Sequence, residues 1–321
     1  MKLVSRRNAV SFAALALLSG MALAQAAWPT KPITFVVPQA PGGANDVIAR
    51  AVAQGLESSL GQPVIVENRP GANGNLGTGQ VARSAADGYT FLVTAQSAYT
   101  INPALYTKVP FDPIKDFTPV MQLAVAPYLL VVNPSFPAKN LDELVAYAKA
   151  NPGKVEYASA GNGTLNHLLG EMLKKQKGVN LLHVPYKGAA AAATDVVAGQ
   201  LPMTFGSFPG VMPFVASGKL RVLGVASDKP TSLAPEIPPL GKDLAVTSWY
   251  GLFAPAGTPQ PIVDKLYQAI KVVLAKPEMA ERFKTLGAER VESTPQSFKA
   301  MLPGELAHWK QVVKDSGAHI D

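Results

Sequence analysis

An apolar strand, a loop of small residues and a helix follow one another twice in this chain. The first unit has its strand at residues 33–37 and its loop at residues 38–46, and the second has its strand at 155–158 and its loop at 159–164. The first backbone N–H groups of a helix have no intrahelical partner, and with the helix dipole they can bind a carboxylate. Two such units predict two lobes that hold a small acidic molecule from opposite sides. This arrangement is more typical of a binding protein than of an enzyme.

The N-terminal residues have the pattern of a secretory signal peptide. Lys2, Arg6 and Arg7 form a basic segment, residues 9–23 are mostly apolar, and small residues at 22–26 fit an A-x-A cleavage site. We therefore expect residues 1–26 to be a signal peptide and the mature protein to be soluble in the periplasm, because no later apolar run is long enough for a bilayer. The general and the twin-arginine export routes both stay open.

The composition excludes several classes of site. The chain has no cysteine, so it has no disulfide, no thiolate metal site and no cysteine nucleophile. Its net charge is +7, and the predicted signal peptide carries three of these charges. The remaining basic residues are scattered, which favours an ordinary solvated surface over nucleic-acid binding and is compatible with anionic solutes.

Strand-like and helix-like segments alternate along most of the chain, which predicts an α/β fold. A passage between the lobes is expected at Pro127, because proline does not fit inside a central ladder, and the return passage is expected at residues 249–255. The predicted lobes are therefore residues 27–126 with 250–321, and residues 127–249. Residues 103–119, rich in proline and aspartate, are predicted to be a long surface loop.

The residues that could carry chemistry form no catalytic or metal-binding pattern. The histidines lack metal-ligand spacing, no G-x-S-x-G occurs, and the glycine-rich residues 71–77 and 161–164 lack the lysine of a Walker loop. We interpret these two loops as places of close approach for a small anion. His167 could pack, cap its helix or contact a ligand. Asp46 could complement the helix dipole, order its loop or bind an amine.

Linked motifs along the chain resemble a known family. They lie at residues 37–46, 67–72, 87–90, 102–106, 112–120, 157–164, 183–188, 199–200 and 249–259. Together they resemble the receptors of tripartite tricarboxylate transporters, the Bug family of periplasmic solute-binding proteins. The resemblance covers essentially the whole mature chain.

The resemblance implies a two-lobe periplasmic-binding-protein fold of α/β class (Venus flytrap, type II-like) with two crossing segments. It also implies a carboxylated metabolite between the lobes, no cofactor, and delivery to membrane subunits of a tripartite tricarboxylate transporter. We expect a monomer that binds no nucleic acid. With the two helix starts, the resemblance predicts a ligand site at Pro38, Pro41, Gly42, Gly43, Asn45, Asp46, Ser97, Ala98, Ser159, Ala160, Gly161, Thr164, His167, Gly206 and Ser207.

One position departs from the family pattern. Many relatives have an aspartate where this chain has Gly206, and in an amino-acid receptor that aspartate could pair with the ammonium group. Its absence favours a ligand without an amine, unless Asp46 supplies the negative charge from the other lobe.

Two other functions remain open at this stage. The closing lobes of a sensory receptor that presents its ligand to a signalling partner would look the same in sequence. A secreted hydrolase could use Ser97 or Ser159 as nucleophile with His167 as base, since a triad need not be contiguous.

Overall fold

The computed structural model describes residues 28–42, 44–186 and 188–318. The predicted signal peptide and Gly43 lie outside the described residues. The strands are β1 (Ile33–Val37), β2 (Val64–Asn68), β3 (Thr90–Ala95), β4 (Phe117–Val132), β5 (Val155–Ser159), β6 (Leu181–Pro185), β7 (Met203–Ser207), β8 (Arg221–Val225), β9 (Thr247–Pro255) and β10 (Glu289–Arg290). In this part of the chain none of the helices has the length and hydropathy that a bilayer-spanning segment needs.

Ten helices surround these strands in the described residues. They are α1 (Ala44–Leu60), α2 (Asn75–Ala82), α3 (Asn102–Leu105), α4 (Leu141–Ala150), α5 (Leu165–Lys177), α6 (Ala189–Val197), α7 (Phe208–Ala216), α8 (Gln260–Ala275), α9 (Pro277–Thr285) and α10 (Pro295–Ser316). The sequence predicts one helix at residues 141–150 and an amphipathic helix at residues 295–316, and the structure confirms both with the same bounds. Asn140 caps α4, and Thr294 and Ser297 form a capping box at the start of α10, so both helices begin where their sequences supply a side-chain acceptor.

The strands form one sheet with two halves, ordered β2-β1-β3-β9-β4-β7-β5-β6. In the first half β1 pairs in parallel with β2 and β3, and in the second half β5 pairs in parallel with β6 and β7. The carboxyl ends of parallel strands meet at one edge of a sheet, where α/β proteins bind ligands. This places the loops after β1, β2 and β3 together, and likewise the loops after β5, β6 and β7.

The long strand β4 joins the two halves. Its residues 117–127 pair with β9, and its residues 128–132 pair with β7 and β8. Pro127 lies inside the strand, at the position where β4 changes partner. A proline is tolerated there because it ends one ladder just before the next begins.

The predicted surface loop at residues 103–119 is wrong at both ends. Helix α3 begins at Asn102, and Phe117 already belongs to β4. Phe111 and Phe117 are buried because they pack around the Tyr99 ring, at centroid distances of 6.4 and 5.5 Å. The prolines and aspartates of this segment suggested a solvent-exposed loop, although Phe111 and Phe117 within it belong to the hydrophobic core.

Each half of the sheet has its own apolar core, and α10 contributes to both. Phe298 near its start belongs to the aromatic cluster around Tyr99 in the first half. Trp309, three turns later, belongs to the core between α5 and the second half of the sheet. Helix α10 therefore runs across the boundary between the two halves.

Candidate ligand-binding site

A pocket of about 200 Å³, which we call the cleft, opens between the two halves of the fold. The first half contributes Ser97 and the second contributes Ala160 and Thr164, all three of them predicted site residues. Residues that the sequence did not single out as ligand contacts complete the lining: Asn73, Tyr128, Leu165, Asn166, Ala189 and Ser248. Tyr128 and Ser248 belong to the crossing strands β4 and β9, so the floor of the cleft is formed by the connection between the halves.

The loop after β1 is held in shape by the carboxylate of Asp46. This side chain accepts hydrogen bonds from the Gly42 N–H at 2.9 Å, from Asn68 Nδ2 at 2.9 Å and from Arg50 Nε at 3.1 Å. Burial by itself would raise the pKa of Asp46, but the hydrogen bonds from Arg50, Gly42 and Asn68 outweigh it and hold the pKa below its usual value. Asp46 therefore orders the loop, and both of its carboxylate oxygens already accept hydrogen bonds within the protein.

The other predicted residues of this loop divide into exposed and supporting positions. Pro41 and Gly42 are exposed at the loop tip. Pro38 and Asn45 are buried, and the Asn45 amide donates to the Val93 carbonyl at 2.9 Å, which fixes the loop against β3. Gly43 lies outside the described residues.

The loop after β2 contains four consecutive residues with positive φ. Gly71, Ala72, Asn73 and Gly74 all have positive φ, at 139°, 47°, 54° and 95°. The Asn73 side chain donates to Asn102 Oδ1 at 2.9 Å, and Asn102 donates back to the Asn73 carbonyl at 2.9 Å. This exchange holds Asn73 in a conformation that a residue with a side chain rarely adopts, at the wall of the cleft.

The buried Ala98 lies behind that wall. A Cβ on Gly74 would lie 3.0 Å from the Ala98 Cβ and 3.4 Å from the Pro38 carbonyl oxygen. The loops after β1, β2 and β3 thus approach one another at Gly74, where the close contacts and the φ of +95° both favour glycine. Pro38 and Ala98 support the site from behind, and Ser97 faces the cleft.

In the loop after β5, the predicted polar side chains mostly bind the loop itself. Ser159 is fully buried, and its hydroxyl accepts the Gly161 N–H at 3.1 Å. The Thr164 hydroxyl donates to the Gly161 carbonyl at 2.7 Å, and His167 Nδ1 accepts the Gly163 N–H at 3.0 Å. Ser159 and His167 therefore hold the loop, while Ala160 and Thr164 line the cleft.

His167 stacks on His183, with ring centroids 3.9 Å apart. Burial lowers the pKa of both rings. In His183, burial and the neighbouring His167 together lower the pKa to about 4. His183 Nε2 lies 2.6 Å from the Ser159 hydroxyl. The pair is neutral near pH 7 and fixes the end of β5.

The same contacts do not fit Ser159 and His167 as the nucleophile and base of a hydrolase. To act as a general base, His167 would need a free ring nitrogen directed at a serine hydroxyl. Its Nδ1 accepts a hydrogen bond from the Gly163 N–H, and its Nε2 lies 3.9 Å from Glu171 Oε1. Ser159 has no exposed surface with which to attack a substrate. Among the described residues, no three histidine, aspartate or glutamate side chains group together as a metal site would require.

Gly206 and Ser207 line a second cavity beside the cleft. This cavity, which we call the side chamber, has a volume of about 360 Å³ and shares Asn166 and Ala189 with the cleft. The Asn166 amide donates to the Phe205 carbonyl, which ties the start of α5 to the end of β7. The two predicted residues are therefore neighbours of the cleft and not part of its lining.

The chain is similar over most of its length to proteins of one family. Residues 48–318 match the model of the tripartite tricarboxylate transporter family receptor. Protein BugT of Bordetella pertussis is 35% identical over 298 residues, which cover 91% of each chain.

Two solved structures agree with this match. An R. palustris protein determined with adipate has a TM-score of 0.82 at 32% identity, covering 91% of this chain and all of that one. MatC from Rhodopseudomonas palustris with bound malate has a TM-score of 0.77 at 32% identity, covering 89% of this chain and all of that one. Both relatives were determined with a dicarboxylate.

Proposed function

The chain belongs to the tripartite tricarboxylate transporter receptor family, and we propose from the cleft described above that it binds a small carboxylated metabolite there. It is a solute-binding receptor and not an enzyme. It delivers its ligand to a membrane transporter of the tripartite tricarboxylate type. Receptors of this family act in the periplasm, which is also where the sequence pattern of residues 1–26 would direct the chain.

The observation that carries the proposal is that loops of both halves line one pocket. Helix α5 begins at this pocket with Leu165 and Asn166, so its positive dipole end lies where a carboxylate would bind. The exposed loop tip at Pro41 and Gly42 and the side chain of Ser97 are the matching contacts that we assign to the first half.

We assign the two halves as lobes, residues 27–126 with 250–321 and residues 127–249. The lobes close by a hinge motion at β4 and β9, because contacts from both lobes to one ligand exist only in the closed form. The ligand stabilises that form by binding it preferentially.

A thermal-shift screen of mono-, di- and tricarboxylates, aromatic acids, amino acids and neutral sugars tests the proposal. An acid present at a hundredfold excess over its dissociation constant should stabilise the protein by about 2.7 kcal/mol. Stabilisation by a neutral sugar with no response to any acid would contradict the proposal.

A matched pair of variants places the ligand. Ala160→Leu puts a large side chain into the cleft and should abolish the response to every acid that stabilises the wild type. Ala150→Leu makes the same change at the exposed end of α4 and should leave the response intact. Equal responses in the two variants would place the ligand elsewhere.

Two further points need their own measurements. We expect a monomer, and light scattering on the purified mature chain tests this. A pull-down with ligand-loaded protein from membranes should recover the membrane subunits of the transporter. Recovery of a sensor protein alone would assign the chain to signalling.

A further inference from the structure

The side chamber has the composition of an apolar binding pocket. It opens between α6 and α7, and its apolar walls come from Phe205, Val211 and Phe214 on one side and Ala190 and Ala193 on the other. None of the described residues that line it carries a charge. Thr194, Thr204 and Ser207 supply its few hydroxyl groups.

Small residues keep this space open. Helix α6 begins with an unbroken run of alanines at residues 189–193, and Gly210 lies in the facing helix α7. Alanine and glycine cannot reach across the gap between the helices, so the two helices leave a slot in a region where larger side chains would fill it.

Val211 makes the part of the slot nearest the cleft apolar. A Cβ on Gly206 would lie 2.2 Å from Val211 Cγ1, so the valine occupies the space into which a side chain at position 206 would project. A methyl group of Val211 fills this space. The chamber therefore offers no counter-charge to an amine or to a second carboxylate.

The chamber and the cleft are joined at Asn166 and Ala189, which line both. The cleft alone, at about 200 Å³, is smaller than the 300–1,000 Å³ of most ligand pockets, and the chamber brings the combined site into that range. Asn166 and Ala189 form the border across which a ligand with its carboxylate at the start of α5 would extend into the chamber.

We propose that the side chamber is a subsite for the apolar part of the ligand, so that the preferred ligand is a carboxylate bearing an alkyl chain or an aromatic ring. This inference rests on the proposed function, because it takes the carboxylate to bind in the cleft. The ligand then spans both cavities, with its acidic end at the helix start and its apolar end between α6 and α7.

Calorimetric titration with straight-chain monocarboxylates from butanoate to octanoate, with 3-phenylpropanoate and with succinate tests the proposal. Each methylene buried in the chamber should tighten binding about fourfold, which corresponds to 0.8 kcal/mol per methylene. The phenyl compound should bind at least tenfold more tightly than butanoate. Affinity that does not change along the series, in a protein that binds succinate, would overturn the subsite and leave the proposed function standing.

Two alanines of one helix provide the matched variants. Ala190 lines the chamber and Ala191 does not, and both are exposed on α6. Ala190→Leu should weaken octanoate and 3-phenylpropanoate binding at least tenfold while changing succinate binding less than twofold, and Ala191→Leu should change neither. An equal loss for long and short acids in Ala190→Leu would overturn the subsite, and a failure of every acid to bind the wild type would overturn the proposed function as well.

Discussion

The imidazole rings of His167 and His183 stack face to face at 3.9 Å, and between them they hold both ends of the loop after β5. His167 accepts the Gly163 N–H, and His183 is hydrogen-bonded to the Ser159 hydroxyl at 2.6 Å. Glu171 lies 3.9 Å from His167 and is itself paired with Lys174, so it is not a dedicated counter-ion for a protonated ring. The acceptor role of His167 Nδ1 toward the Gly163 N–H therefore requires a neutral His167 ring, and a charge on either stacked ring would have no dedicated counter-ion.

Stability should consequently fall as the pH is lowered below neutral. The pKa of His183 is about 4 in the folded protein and about 6.5 in an unfolded chain, so between these values the unfolded state binds more protons. The free energy of unfolding thus decreases from pH 7.5 to pH 5, and the lowered pKa of His167 acts in the same direction. Urea unfolding across this range measures the effect. Asp46 does not interfere, because its lowered pKa confines its own contribution to more acidic solutions.

Two histidine variants separate this effect from general acid sensitivity. His183→Phe retains a ring for the stack and removes the titrating group, so its stability should vary less with pH. His308→Gln changes an exposed histidine on α10 and should keep the wild-type dependence. An unchanged slope in His183→Phe would show that the pair is not the sensor.

Substitution by alanine should change the free energy of unfolding in opposite directions at Gly42 and Gly304, although a Cβ at either position would have no other atom within 4 Å. Gly42 has φ +83°, so Gly42→Ala should lower the free energy of unfolding by about 1–2 kcal/mol through backbone strain. Gly304 lies within α10, where Gly304→Ala should raise it by about 0.5–1 kcal/mol. Urea unfolding compares the two.

The same pair tests the loop tip as a ligand contact. Strain at Gly42 shifts the neighbouring N–H groups, so Gly42→Ala should weaken acid binding, whereas Gly304→Ala should not. Wild-type affinity in the folded Gly42→Ala variant would remove this loop tip from the site.

The ligand should lack a positively charged amine. Asp46 is committed to Gly42, Arg50 and Asn68, and Gly206 supplies no acid from the other side. A buried ammonium group without a counter-charge costs several kcal/mol. Calorimetry should therefore find succinate bound at least tenfold more tightly than aspartate, and glutarate more tightly than glutamate. Tighter binding of both amino acids, lost in a folded Asp46→Asn variant, would show that Asp46 recognises the amine.

The helices and strands of this fold can be predicted from the sequence where hydrophobic periodicity or a proline determines them locally. The alternation of strands and helices and the change from one half of the sheet to the other near Pro127 could both be predicted. Helix α7 could not, because Pro209, Gly210 and Pro213 lower its local propensity, and it forms through the burial of Phe208 and Val211 against the sheet.

The sequence predicted which loops form the candidate site better than it predicted which side chains of those loops line it. Glycine-rich strand ends mark where backbone approaches a ligand, but they do not show which way a polar side chain turns. Ser159 and His167 turn inward because unpaired N–H groups at Gly161 and Gly163 need acceptors. Tyr128 and Ser248 reach the cleft from strands remote in sequence, and no local pattern signals such a contact.

Glu305 connects the two halves of the fold through a single carboxylate oxygen. Its Oε2 accepts hydrogen bonds from Gln96 Nε2 at 2.7 Å, Trp309 Nε1 at 3.2 Å and Trp249 Nε1 at 3.3 Å. Gln96 follows β3, Trp249 lies on the crossing strand β9, and Trp309 packs in the second core. Both indole rings are almost fully buried, so their N–H groups have no access to bulk water in exchange.

Removal of this acceptor should therefore be costly. Glu305→Ala leaves three buried donors unpaired and should lower the free energy of unfolding by about 3 kcal/mol or more, since one unsatisfied donor costs about 1–3 kcal/mol. Glu305→Gln retains an acceptor oxygen and should cost less, and Lys310→Ala, at an exposed position of the same helix, should stay within about 0.5 kcal/mol of the wild type. Urea unfolding followed by tryptophan fluorescence measures all three. If Glu305→Ala were as stable as Lys310→Ala, the carboxylate would not be what couples α10 to β3 and β9, and packing of Phe298 and Trp309 alone would join the halves.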